Sequence, residues 1–306
     1  MVVLVAGCSS SGSDTTAGSS AKATTTRVAT TTTSAPKAAP LKDQTPPSSI
    51  NGIAVQGDTI WVASIKGDEI LQVDRQTGAI LQRFDTKGAG PDDIAIAPDG
   101  SIYSAGFGNG DVGHIANGKY SVFTTIKPGI NPIEFSPDGL LYIGTYGPDG
   151  ELFQLDPSDP KSFTKSLGGG LPDINAFGII ADGTIVAPAG GVAGPGSAIA
   201  IEIVPVKQDK IGGKGISTIV KGLPGVAAGT TDSQGRPYVL ANATGQVFAI
   251  NLDDKTSQVV QTVKKGGPFD NLSFAHDGTL YLSSFIAPTI TEVAPDGTER
   301  VIPIGS

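Results

Sequence analysis

The sequence predicts an all-β protein, a six-bladed β-propeller of four-stranded blades preceded by a disordered N-terminal stalk, and three observations predict it. The first is a repeat: between Ile50 and Ser306 an apolar strand, a tight turn and a second strand with an aromatic or apolar residue near its start recur six times. The second is the abundance of breakers, with Gly 42 and Pro 22 in 306 residues and no window that sustains a helical apolar period. The third is a composition break near residue 50, before which Ser, Thr, Ala and Pro dominate and, from Ser9 on, aromatic residues are absent.

The chain opens Met1-Val2-Val3-Leu4-Val5-Ala6-Gly7-Cys8, with its only cysteine behind an apolar run and ahead of a serine-rich segment. Val5-Ala6-Gly7-Cys8 resembles the lipobox of bacterial lipoproteins. The resemblance implies that residues 1–7 are the remnant of a signal and that Cys8 is the lipidated N-terminus. The mature protein is then expected outside the cytoplasm, anchored to the bacterial cell membrane by lipid. A secretory signal carries a basic n-region and an apolar stretch of about 7–15 residues, so with no Lys or Arg before Cys8 either the true start is expected upstream or the signal does not work. One cysteine permits no intramolecular disulfide, and an oxidising compartment leaves such a fold untouched.

Residues 8–49 cannot bury enough apolar surface to offset their ordering entropy and are expected to form the disordered stalk. For a flexible chain of that length the reach is on the order of 35 Å.

Residues 50–306 then form the propeller. Blade one starts Ile53-Ala54-Val55-Gln56-Gly57-Asp58-Thr59-Ile60-Trp61, blade two Ile94-Ala95-Ile96-Ala97-Pro98-Asp99-Gly100-Ser101-Ile102-Tyr103, and blade three Glu134-Phe135-Ser136-Pro137-Asp138-Gly139-Leu140-Leu141-Tyr142. Blade four carries Ile179-Ile180-Ala181-Asp182-Gly183-Thr184-Ile185-Val186, blade five Asp232-Ser233-Gln234-Gly235-Arg236-Pro237-Tyr238, and blade six Ala275-His276-Asp277-Gly278-Thr279-Leu280-Tyr281. Their spacing, about 39–52 residues, is that of a propeller repeat. The Asp-Gly pairs are read as turns, because a tight hairpin needs residues that tolerate positive φ. Two more strands follow in each unit, as in Glu69–Asp74 and Ala79–Phe84, giving four per blade. Blade four is longer than the rest, and its extra length, 187–196 and 207–215, is expected to form loops on a propeller face.

A net charge of -8 and an isoelectric point near 4.7 argue against a nucleic-acid partner. The two histidines, His114 in a third strand and His276 in a turn, read as structural and as surface residues. No Gly-x-Ser-x-Gly elbow, His-x-x-x-His pair or phosphate loop is present, so serine-type nucleophilic catalysis lacks its parts.

Pro91-Asp92-Asp93-Ile94-Ala95-Ile96 with Asp99-Gly100-Ser101-Ile102-Tyr103, and Asn51-Gly52-Ile53-Ala54-Val55, resemble the blade signatures of the senescence marker protein/gluconolactonase/luciferin-regenerating-enzyme family and of the related NHL-repeat propellers. The resemblance implies six blades, one divalent cation, usually Ca2+, in the central channel, and hydrolysis of lactones or related esters. Asn51 matches the family's Asn-Gly-apolar ligand strand, and Asp92 its Pro-Asp-x-apolar strand in the following blade.

With Asn175 and Asp270 from blades four and six, these two residues make the candidate metal set: Asn51, Asp92, Asn175 and Asp270. Oxygen ligands of this kind suit a hard cation. The family's Glu-Gly-Pro opening is missing, and blade four offers only Asp173 or Asn175 in place of its Glu. Without the blade shift that this matching requires, the family's Asp falls on Ala227 or Ala228. Glu134 faces the channel in one register and turns away after a one-residue slip. Asp93, Asn131 and Asn271 also open inner strands, and all these polar residues have a second reading as partners of exposed backbone and water at the mouth.

Two functions are therefore expected: a monomeric lipoprotein that binds a small ligand, glycan or protein partner at the propeller's channel mouth, or a calcium-dependent lactonase of the gluconolactonase type. A sensory or scaffolding part of an envelope complex stands behind them.

Overall fold

The computed structural model describes residues 38–159, 164–190, 195–201 and 215–305. Within them lie six four-stranded antiparallel sheets, each made of strands consecutive in the chain and hydrogen-bonded in chain order. This is the predicted six-bladed propeller.

Blade two shows why these residues form a blade. Its second strand, Ile102–Gly106, is buried along its whole length, whereas its outer strand, Lys119–Thr125, is largely exposed. The second strand is wedged between neighbouring blades and takes apolar and small residues throughout; the outer strand has water on one side and mixes Lys, Ser and Thr with Tyr, Val and Phe. Blade five repeats the gradient, from buried Pro237–Ala241 to exposed Thr256–Thr262.

The hairpins joining first and second strands carry the Asp-Gly pairs as read. Gly100 at φ 85° closes its turn by donating to the Ala97 carbonyl at 2.8 Å, and the Asp99 carboxylate accepts from the Ser101 amide at 2.9 Å. Gly139 does the same at φ 86° against the Ser136 carbonyl.

Two sequence boundaries move. Residues 187–189, assigned to an insertion in blade four, belong to the strand Ile185–Ala189, where Pro188 pairs with Ala198. The run is buried throughout, so it continues the apolar strand before it. Residues 191–194 and 202–214, which hold most of the expected extra loops, lie outside the described residues.

The second change concerns the stalk, whose residues 1–37, with Cys8, also lie outside. Residues 38–49, assigned to the linker, are instead fixed to the outer strand of blade one, Ile80–Asp85. The Leu41 amide donates to the Ile80 carbonyl at 2.8 Å, Gln44 donates to that carbonyl and accepts from the Ile80 amide, and Arg83 donates to the Thr45 carbonyl. Pro47 and Ser49 are buried.

Ring closure joins blade six to blade one without a shared strand. An apolar cluster of Ile53, Ile60, Val62, Leu71, Ala275, Tyr281 and Ile290 fills the joint. Arg75 spans it, donating to the Tyr281 hydroxyl and pairing with Asp277 at 2.6 Å, and the Gly305 amide donates to the Gly78 carbonyl.

Gln44→Ala is expected to lower unfolding stability by about 1–2 kcal/mol, because it leaves the edge groups of Ile80 without their side-chain partner. Urea unfolding of the two proteins measures it.

Candidate functional site at the channel mouth

Each inner strand begins at one face of the ring, and its first residues border the central channel. Blade one contributes Asn51, blade two Asp92 and Asp93, blade three Asn131, blade four Asn175, and blade six Asp270 and Asn271. Blade five contributes only Ala227 and Ala228.

Local backbone irregularity aims two of the polar groups. In blade two, Pro91 pairs with Gly106 and Asp93 with Ala105, so Asp92 is an extra residue in a β-bulge. In blade three, Ile130 pairs with Thr145 and Ile133 with Ile143, which places Asn131 and Pro132 opposite a single residue. A bulge reverses the alternation of side chains and re-aims the residue it contains.

The four residues of the candidate metal set converge. Asn51 Nδ2 donates to Asp270 Oδ2 at 3.1 Å, and Asn175 Nδ2 approaches Asp270 Oδ1 at 3.5 Å. Asn131 Nδ2 donates to Asn175 Oδ1 at 2.7 Å and so extends the ring to blade three. Asp92 is 7% exposed, and its carboxylate accepts no hydrogen bond among the described residues. Burial, then the charges of Asp270 and Asp93, push its carboxyl well above the ordinary range. Burial raises Asp270 to about 6, although the two carboxamides oppose the shift.

A second layer lies below this one. Asn271 Nδ2 reaches Asp93 Oδ1 at 2.8 Å, across the position of blade one, and Asp93 also accepts from the amides of Ile94 and Ile133. Gly52 makes that crossing possible, since a Cβ there would lie 2.6 Å from the Asp92 carbonyl oxygen and 2.9 Å from Asp93 Oδ1. Further along the channel, Glu134 lines a cavity of about 210 Å³ together with Asp93, Asn271 and Thr230. Its register is thus settled: the side chain faces the channel, with Oε1 accepting from the Phe135 amide at 2.9 Å.

Among the described residues no basic side chain pairs with Asp92, Asp93, Glu134 or Asp270. His114 stacks on Tyr103 at 4.4 Å between ring centroids, and His276 is exposed in its turn, so neither reaches the channel. Sequence reasoning passed over Tyr146, which follows the second strand of blade three at the mouth. The charges of Asp173, Asp270 and Asp92 reinforce the upward shift that burial gives its phenol. The signal was an aromatic residue placed directly after a strand end, in Thr145-Tyr146-Gly147.

Glu134 gives the channel a pH dependence. Burial raises its carboxyl from 4.5 to about 7, so between those values the folded protein holds a proton that the unfolded chain releases. Stability from this group is complete below pH 4.5 and lost as pH rises through 7. In chelator, Glu134→Gln is expected to match the parent near pH 4.5 and to exceed it at pH 8 by up to about 3 kcal/mol, read from urea unfolding at both pH values.

No protein-family model and no curated protein matches the sequence. Solved structures do match. Virginiamycin B lyase from Staphylococcus aureus superposes with a TM-score of 0.60 at 12% identity, over 86% of this chain and 86% of that one. Regucalcin from Agrobacterium tumefaciens, described as a calcium-binding protein, gives 0.61 at 17%, over 78% and 83%. A gluconolactonase from Xanthomonas campestris gives 0.59 at 13%, over 80% and 85%. At these identities the likeness shows the fold, a six-bladed propeller of the kind found in gluconolactonase- and regucalcin-type proteins.

Proposed function

We propose that the channel mouth holds a divalent cation of the calcium type and, through it, an oxygen-bearing small-molecule ligand. The observation that carries this reading is Asp92, a carboxylate 7% exposed, without a hydrogen bond among the described residues, beside Asp270. A buried charge in that position is compensated by a proton or by a cation.

The donor chemistry fits the second. Asp92 and Asp270 offer carboxylate oxygens, and Asn51 and Asn175, whose Nδ2 groups face Asp270, offer a carboxamide oxygen each once the amide turns over; calcium takes about 6–8 oxygen ligands. Among the described residues no three His, Cys, Asp or Glu side chains form a metal-binding group, so the set depends on its carboxamides. The calcium-binding description of the regucalcin neighbour supports the same assignment.

Such a cation supplies Lewis acidity toward a carbonyl oxygen. The protein's own residues supply position and a proton site. Asn51 and Asn175 hold the Asp270 carboxylate from opposite sides, and its value of about 6 lets it exchange a proton near neutral pH. That property belongs to the cation-free site and favours a second reading, hydrolysis of a lactone or ester with Asp270 as general base instead of cation ligand, in line with the gluconolactonase neighbour. Lyase chemistry of the virginiamycin B type has less support: a histidine-to-alanine variant of that enzyme is described as catalytically inactive, and neither histidine here reaches the channel.

Anchorage at the membrane through lipidated Cys8 is part of the proposal and rests on the Val5-Ala6-Gly7-Cys8 motif.

Calcium is expected to raise the melting temperature of the chelator-treated protein, as any ligand specific to the folded state does, by about 2.7 kcal/mol of stability at 100 times Kd. Asp92→Asn should melt higher than the parent in chelator and gain nothing from calcium. A calcium response unchanged in the variant refutes the site. For the anchor, Cys8→Ala expressed behind a complete export signal is expected to leave the membrane fraction, and retention there refutes lipidation as the tether.

A further inference from the structure

We propose that the rim of the channel mouth selects a carbonyl ligand with an apolar tail, a lactone or ester bearing an alkyl or aryl group, over a polyhydroxylated sugar lactone. This rests on the ligand binding at the mouth proposed above.

The inner strands start at the mouth and the second strands run back toward it, so the loops between second and third strands surround the polar cluster. Four successive blades place large apolar side chains there. Blade six carries Phe285 and Ile286, 39% and 63% exposed; blade one carries Ile65, half-buried; blade two carries Phe107, 37% exposed; and blade three carries Tyr146, 42% exposed. The other side of the ring differs, with Gly190 in blade four and Asn242-Ala243-Thr244 in blade five. Among the described residues, the apolar side chains thus form a crescent along one half of the mouth. The other large apolar residues exposed among those described lie on outer strands, as Val122, Phe123, Val259 and Val260 do, or at Leu41.

The crescent is held in register with the polar cluster by backbone bonds. The Phe107 amide donates to the Gly90 carbonyl at 3.0 Å, the Phe107 carbonyl accepts from Gly129 at 2.8 Å, and the Gly129 carbonyl accepts from Tyr146 at 2.9 Å. The Ile65 amide donates to Asn51 Oδ1 at 3.4 Å. Tyr146 lies within the electrostatic reach of Asp92 and Asp270, so apolar rim and polar centre meet.

Size identifies the occupant. These side chains expose on the order of 300 Å² in all, judged from the 150–250 Å² that a whole aromatic side chain presents. A stable protein interface needs about 800 Å² from each partner, whereas an alkyl or aryl tail is covered by a few such side chains. A sugar lactone needs hydrogen-bonding groups around its ring, and the crescent gives it hydrocarbon.

The test uses the full chain with γ-butyrolactone, γ-decalactone and glucono-δ-lactone as probes, with binding read by calorimetry and saturation-transfer NMR, with and without calcium. The expected result is at least tenfold tighter binding of γ-decalactone than of γ-butyrolactone, with glucono-δ-lactone no better than the latter. The double variant Phe107→Ser with Tyr146→Ser should bring the tail preference below threefold while its calcium-induced thermal shift stays intact; Tyr146→Phe should retain the preference. Equal affinities for the two γ-lactones, tighter binding of the sugar lactone, or an undiminished preference in the double variant overturns the proposal. So does sedimentation of the parent as a dimer that the double variant abolishes, which assigns the crescent to a second copy. Tail preference without any calcium effect supports the crescent and counts against the cation site alone.

Discussion

Six strands that begin around one axis bring their first side chains into a space too narrow to keep them apart, and in this protein several of those side chains are acidic. Asp92 and Asp270 share the mouth, Asp93 lies behind them and Glu134 deeper still, without a basic partner among the described residues. The ring's own packing sets this crowding, because the apolar clusters that join neighbouring blades fix how closely the inner strands approach. Asp270 is accommodated by two carboxamides and Asp93 by amides and Asn271. The Asp92 carboxylate accepts no hydrogen bond among the described residues and is left to a proton or a ligand.

Similarity of fold does not select among the chemistries that six-bladed propellers support. A lyase, a calcium-binding protein and a gluconolactonase superpose on this chain about equally well, and function resides in the site grafted on the scaffold. The distinguishing content here is local: bulges that aim Asp92 and Asn131, alanines where blade five meets the axis, and an apolar half-rim.

The blades were legible in the sequence because their determinants are local. A Gly- and Asp-bearing turn between two apolar runs declares a hairpin wherever it occurs, and six such turns, four of them Asp-Gly, at intervals of about 39–52 residues declare a ring. That Asn51, Asp92, Asn175 and Asp270 come together at the mouth was legible for a related reason, since strand starts in a propeller share an axis. Other features depend on contacts that no single segment encodes. Asn271 meets Asp93 only because Gly52 leaves room between them, and the facing of Glu134 turns on a register of one residue. Residues 38–49 read as linker because their composition is polar and proline-rich, yet an outer strand offers free backbone groups that a segment of almost any composition can satisfy.

That attachment also has a mechanical meaning. The chain enters the propeller along the outer edge of blade one, through the bonds of Leu41 and Gln44 to Ile80, before it turns inward at buried Pro47 and Ser49. A pull on the preceding segment therefore meets the periphery first and is borne by an outer strand backed by the seam to blade six, where Arg75 grips Asp277 and Tyr281. Only Ile50 then separates Ser49 from Asn51 at the axis, and the Ser49 hydroxyl donates to Asn51 Oδ1 at 3.4 Å, so the arm that grips the periphery also touches the mouth.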